Sequence, residues 1–261
     1  MIFVINEPTR AFMTSKNKAR WYTNQIENLS IKVDGEETQK KDAHGNLIAT
    51  FPKGKTCEVG FDVSVFDLGV LADANGTELQ TASTTNKLTT TAFDEFEITG
   101  STTDITLKNT PVDDVVYVQT LNPDGSLKKA FAVGAAVADG VVTYTKTTKK
   151  VTFNSGDIVA GDTVLVVYDY EITNGSGFSV SAKDVPKAGK LYVEVQGHDI
   201  CDKETALYAY YRFPQAQSKV SNQQDIKVDS TFHIDYTCAV SYCDKKQKFY
   251  DLIIPGVSEG E

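Results

Sequence analysis

Four side chains have the types and spacing of a metal centre. His198 and Cys201 read as H-x2-C, and Cys238 and Cys243 as C-x4-C, a loose match to a tetrahedral zinc site. Alternation argues against it. If residues 232–243 form one strand, Cys238 and Cys243 point to opposite faces, and Cys238 joins the apolar face as a small buried thiol. Catalytic chemistry has little support. Of the three histidines, His44 sits in a polar stretch, His198 precedes Asp199 in a polar turn, and His233 falls on the wet side of a strand. None can be placed beside a nucleophile. The sequence carries no G-x-S-x-G, P-loop or H-E-x-x-H motif. With 35 acidic residues, carboxylate pairs at glycosidase-like separations arise by chance. Tyr208, Tyr210 and Tyr211 could stack on a sugar, but aromatic residues at such positions are more often part of a sheet. The expectation is a protein that is not an enzyme and holds no cofactor or metal.

The elements that would position any site are strands, organised around residues 55–76. Cys57, Val59, Phe61, Val63 and Val65 share one face, and Glu58, Gly60, Asp62 and Ser64 the other, the period of a half-buried strand. The pattern then turns helical. Ser64 can cap a helix with Asp67 three residues on, Val65, Leu68 and Ala72 share one side, and Asn75-Gly76 can end it. The net charge of −9 argues against a nucleic-acid binder, which needs clustered Lys and Arg. Residues 1–5 are apolar but too short for a secretory leader, so the four cysteines are expected as free thiols. No run reaches the ~18 apolar residues of a membrane span.

Along the chain, residues 1–25 read as a basic N-terminal interaction arm with Arg10, Lys16, Lys18, Arg20, Trp21 and Tyr22. A strand at 26–33 leads into the long polar loop 34–54, either mobile or ordered as a loop or hairpin against a neighbouring subunit. The Thr-rich stretch 77–92 reads as a linker or an exposed strand. Residues 93–173 hold seven short strand candidates, at 96–98, 105–107, 115–121, 130–133, 141–144, 151–153 and 164–172, separated by turns such as Asn122-Pro123-Asp124-Gly125 and Asp139-Gly140. Strands resume at 191–195, at 207–213 (with Pro214 as a stop), at 231–242 and at 248–254. The expected fold is all-β: a β-sandwich or barrel, 26–92 and 174–261, with one short flanking α-helix, plus an inserted small Ig-like β-sandwich domain at 93–173.

Three stretches resemble the tail tube (major tail) proteins of long-tailed bacteriophages. They are the polar loop leading into Lys55-Thr56-Cys57-Glu58-Val59 and the helix, the run Tyr210-Tyr211-Arg212-Phe213-Pro214-Gln215-Ala216, and the closing strand pair at 231–242 and 249–255. The resemblance covers 26–76 and 178–255, and the insert departs from the minimal fold. It implies a virion structural protein of the tail, assembled in the host cytoplasm into stacked hexameric rings. Its partners would be copies of itself and the tape measure, terminator and distal tail proteins, with no membrane. It further implies that the arm and the loop reach adjacent subunits, through Arg10, Trp21, Tyr22, Glu36, Lys40, His44 and Asn46, and that both order only on stacking. DNA would pass through the lumen without specific binding. Glu58, Asp62, Glu194 and Asp235 would line that lumen, since an acidic wall repels phosphate. The alternatives are a phage head decoration or head–tail connector protein, or a β-sandwich adhesin module that binds glycan through tyrosines and the Asp113-Asp114 or Asp139 loops.

Overall fold

The computed structural model describes residues 3–16, 18–64, 67–113, 116–201, 204–219, 231–240 and 247–255. The expectations that touch Val65, Asp114, Ser241, Tyr242, Cys243 and the terminal Ser-Glu-Gly-Glu lie outside these residues. The fold is all-β. Strands β1 (Phe3–Ser15), β2 (Lys18–Thr23), β3 (Ile26–Lys41) and β4 (Leu47–Val63) precede helix α1 (Leu68–Ala74). Then come β5 (Gln80–Thr81), β6 (Leu88–Glu97), β7 (Asp104–Thr106), β8 (Tyr117–Leu121), β9 (Leu127–Val133), β10 (Val141–Thr145), β11 (Lys150–Thr152), β12 (Thr163–Ile172) and β13 (Ser176–Gly177). The chain closes with β14 (Gly189–Asp199), β15 (Ala206–Ser218), β16 (Phe232–Cys238) and β17 (Asp251–Ile253). It divides into two compact units, Met1–Leu79 with Phe178–Glu261, and Gln80–Gly177.

The first unit is one sheet in the order β2-β1-β14-β15-β16-β4-β3, with β17 also on β15. Its core follows from alternation. Cys57, Val59, Phe61 and Val63 face Cys238, Tyr236, Ile234 and Phe232 one for one across β4 and β16, and all eight are buried. Leu191 and Val193 of β14 join them, and Val70, Leu71 and Ala74 of α1 pack against the cluster. Each such large apolar side chain contributes about 1.5–3 kcal/mol. Asp67, not Ser64, caps α1: its Oδ1 accepts from the Gly69 and Val70 amides at 2.8 and 3.1 Å. At the other end Asn75 Nδ2 donates to the Leu71 carbonyl at 2.8 Å. Gly76 follows with φ +76°, and a Cβ there would come within 2.4 Å of the Val185 carbonyl carbon. Left-handed backbone and close approach together demand glycine at that position.

Several expectations change here. Residues 3–23 are not an arm reaching away. β1 pairs with β14 from Phe3↔Asp199 to Thr14↔Lys190, and Ala11, Met13, Trp21 and Thr23 are buried; burying them outweighs the basic residues between. Pro214 does not stop β15. It lies at the register shift between the Gly189 and Leu191 pairings, where a missing amide costs no ladder bond. There β15 passes from β17, paired at Tyr210–Arg212, to β16, paired at Ala216–Ser218. The two closing strands therefore pair with β15 and not with each other.

The second unit is a seven-stranded sheet, β6-β12-β8-β9-β10-β11-β7, with a separate two-residue ladder between β5 and β13. Each of the seven expected strands is found. The unit is wider than 93–173 because β6 begins at Leu88, paired with Ile172. Threonine is a good strand former, and of the Thr-rich run Gln80–Thr81 and the part from Leu88 on are strand, while 82–87 connects them. Inside, Val118, Phe131, Val164, Val166 and Tyr168 form the core with Val142, Val151 and Phe153. The Tyr168 hydroxyl donates to buried Asp94 at 2.7 Å and accepts from the Asn109 amide at 2.9 Å, and burial above all pushes Tyr168 up to about 12. No described helix is long and apolar enough to cross a membrane.

Candidate assembly surface

Residues 34–54 form no open loop. β3 and β4 run on beyond the sheet as a two-stranded ribbon, paired from Asp34↔Thr56 through Thr38↔Phe51 and Lys40↔Ala49 to Lys41↔Leu47. β16 reaches only as far along β4 as Cys57, so among the described residues the ribbon's outer part has no third strand. From Asp34 to Lys41 it spans about 23 Å at ~3.3 Å per residue. Both faces are exposed, among them Val33, Leu47, Ile48 and Phe51. Glu36 and Lys40 stand on this ribbon. His44 and Asn46 lie in its tip, where Asp42 is the organising residue. Its carboxylate accepts from the His44 and Asn46 amides at 2.9 and 2.8 Å and from the Asn46 side chain at 3.0 Å. Those bonds, led by the Asn46 side chain, hold Asp42 below the usual carboxylate range. Sequence reading centred the tip on residues 43–46 and missed Asp42, although Asp followed by Gly three residues on is a turn signal.

The remaining expected interface residues separate. Tyr22 is exposed on β2, and Arg10 is on β1 beside it. Trp21 is not at the surface. It is buried, with its ring centroid 6.2 Å from that of Phe61 and its Nε1 donating to Asp73 Oδ2 at 2.9 Å. A bulge between the Met13↔Trp21 and Thr14↔Ala19 pairings leaves Arg20 as the extra residue and turns it toward the helix. There it pairs with the same Asp73 and donates to the Lys187 carbonyl at 2.7 Å. Asp73 thus ties α1 to β2.

Glu58, Asp62, Glu194 and Asp235 all lie on the face of the first sheet opposite the core, and each carries a partner. Glu194 is itself buried. Arg10 Nε donates to its Oε1 at 2.5 Å and Thr9 Oγ1 at 2.8 Å. Burial raises Glu194, but Arg10, Thr9 and Tyr210 outweigh it and leave the carboxyl below its usual range. Lys219 pairs with Glu58 at 2.9 Å and lies 4.0 Å from Asp235. His233 stands between two carboxylates, with Nδ1 2.6 Å from Asp62 and Nε2 3.3 Å from Asp235. Asn28, at φ 51° in a bulge of β3, donates to the second Asp62 oxygen at 2.7 Å. Gly60 makes room for this set, since a Cβ there would sit 2.6 Å from Asp235 Oδ1. On the same face Arg212 lies over the Tyr192 ring, 5.9 Å from its centroid.

The hydrogen bond to Asp62, ahead of the field of Asp235, raises His233 above its ordinary value. A raised folded pKa stabilises the protein fully below about pH 6.5 and loses that contribution as pH rises through the folded value. Wild type should therefore lead His233→Gln in melting temperature on the acid side, and the lead should shrink toward alkaline pH. The side chain is half exposed, so the effect is small. A lead that is flat with pH would show that the charge does not matter.

Of the H-x2-C and C-x4-C residues, which alternation had argued against as a zinc site, Cys243 lies outside the described residues. Cys57 and Cys238 are cross-strand partners in the core, and burial pushes both thiols up, which suppresses their nucleophilicity. Cys201 is exposed. Among the described residues no group of three His, Cys, Asp or Glu side chains is placed to hold a metal.

A protein-family model described as the YomU/Tube protein family matches residues 3–246. No curated protein matches the chain.

Proposed function

The chain belongs to the YomU/Tube protein family, and from that premise we propose that it is the repeating subunit of a phage tail tube, a structural and not a catalytic protein, assembled as stacked hexameric rings in the virion. The observation that carries the proposal is the ribbon of β3 and β4. An isolated two-stranded ribbon is at best marginally stable in water, and this one exposes Val33, Leu47, Ile48 and Phe51. Its occupant in this reading is a second copy of the chain, in the same ring or the next, which covers those side chains and adds neighbours to the ribbon's open edges.

The face bearing Glu58, Asp62, Glu194 and Asp235 lines the lumen in this reading. DNA adheres to a surface when Lys and Arg neutralise phosphates and release counterions. Here Arg10 is held by Glu194 and Lys219 by Glu58, so a phosphate must displace a carboxylate to reach either. Two of the wall's cations are thus engaged by carboxylates, which lowers its adhesion at those points. Distal tail, terminator and tape measure proteins are the further partners implied at the tube's ends and interior.

Electron microscopy of the purified, concentrated protein tests the proposal. Hollow tubes or six-fold rings are expected, with the β4–β16 wet face inward. Uniform monomers that add to no pre-formed tube end would overturn it, and a density map with that face outward would overturn the lumen assignment.

A further inference from the structure

We propose that the second unit carries a neutral-glycan platform on the outer face of its sheet, with Phe93 and Tyr117 as stacking surfaces. Val167 of β12 is paired with Phe93 of β6 on one side and with Tyr117 of β8 on the other. Directly paired residues point to the same face. The three side chains therefore stand in one row, opposite the core side where Ala92, Val118, Val166 and Tyr168 are buried. Phe93 and Tyr117 are the two most exposed large hydrophobic residues described, each at 70%. Neither contributes to either core, so packing does not account for them.

Spacing and surroundings select the ligand. Two strand intervals set the ring-bearing strands about 9.5 Å apart, with Val167 as a low floor between them. That separation fits alternate pyranose rings of a linear glycan, with the ring between them over Val167; their C–H faces lie against aromatic faces while their hydroxyls point outward. The neighbouring row supplies hydroxyl partners. Thr91 Oγ1 donates to Asp169 Oδ1 at 2.6 Å, which orients a carboxylate that can accept about four hydrogen bonds in all. Asp113 joins Asp169, Tyr117 and Val167 around one hollow, and Gln119 lies on Tyr117's other side. Glu95 is paired with Leu165 one row further. Carboxylates on this rim repel phosphates and acidic sugars and suit a neutral polyol. A protein partner fits poorly, because one apolar row between polar rows falls far short of the ~800 Å² per partner of a stable interface.

The test uses the full-length protein and calorimetric titration with cellohexaose and chitohexaose, preceded by a neutral-glycan array. Weak binding, with Kd near or below about 1 mM, is expected for at least one neutral oligosaccharide. Tyr117→Ala and Phe93→Ala should each weaken it at least tenfold, Tyr117→Trp should retain it, and all variants should keep the wild-type melting temperature within a few degrees. The platform is overturned by the absence of neutral-glycan binding, by affinity unchanged in the Phe93→Ala/Tyr117→Ala double variant, or by a preference for anionic glycans. It is also overturned if that double variant alters self-association, since a second copy would then be the occupant. None of these readouts depends on tube formation.

Discussion

Ile48→Asp/Phe51→Asp should give a folded, soluble subunit that builds no tubes. Both side chains are more than half exposed on the β3–β4 ribbon, Ile48 at 61% and Phe51 at 55%. The subunit therefore loses almost no packing, and exposed substitutions of this kind change stability by about 0.5 kcal/mol or less. In the proposed tube the same positions would be covered by a second copy. Losing two large apolar burials forfeits about 1.5–3 kcal/mol each, before the cost of placing carboxylates in the contact. The combined loss of about 3–6 kcal/mol lowers each contact's association constant by at least about a hundredfold, at 1.4 kcal/mol per factor of ten. Sedimentation and microscopy read assembly, and thermal melting reads the fold. Tubes of wild-type length from this variant would remove the ribbon from the interface. A collapsed melting temperature would instead mean that the ribbon supports its own subunit.

Asp73→Ala should destabilise the first unit by about 3–5 kcal/mol, the usual cost of removing one partner of a buried charged pair. The carboxylate is 5% exposed, yet it serves both Trp21 Nε1 and the Arg20 guanidinium. Its loss strands an indole N–H and leaves a cation whose burial already pulls it below its ordinary value. Asp73→Asn should cost less, since the amide oxygen still accepts from Trp21. Arg20→Met in the Asp73→Ala background should recover part of the loss. Trp21 is the only tryptophan, so urea unfolding followed by intrinsic fluorescence reports on the joint itself. A loss under about 1 kcal/mol would show that α1 is held by Val70, Leu71 and Ala74 alone.

These two sites differ in how far the sequence disclosed them. Alternation from Cys57 to Val63, the helix after it and the seven strands of the second unit could be read directly, because each carries its own period and turns. The ribbon was read as a mobile loop or as a loop or hairpin ordered against a neighbour, not as the continuation of β3 and β4. Between Asp34 and Thr56 neither face is buried, so there is no apolar period to read. Trp21 and Arg20 were assigned to the surface because a bulge, invisible in composition, decides which way they point. The four wet-face carboxylates were placed on the correct side of their strands by parity alone. Their partners were hidden, since Arg10 and Lys219 come from distant parts of the chain and reach Glu194 and Glu58 only through sheet order.

The two-residue ladder that pairs Thr81 with Ser176 and Gln80 with Gly177 makes the second unit a cassette. Its incoming and outgoing strands are hydrogen-bonded neighbours, so the host chain crosses only a strand-to-strand gap at that point, whatever fills it. A tight turn satisfies the same gap, and so does a foreign domain with adjacent ends. A chain built this way can gain, lose or exchange such a module without redesigning the sheet that carries it. The same junction offers an engineer a display port, repeated once per subunit.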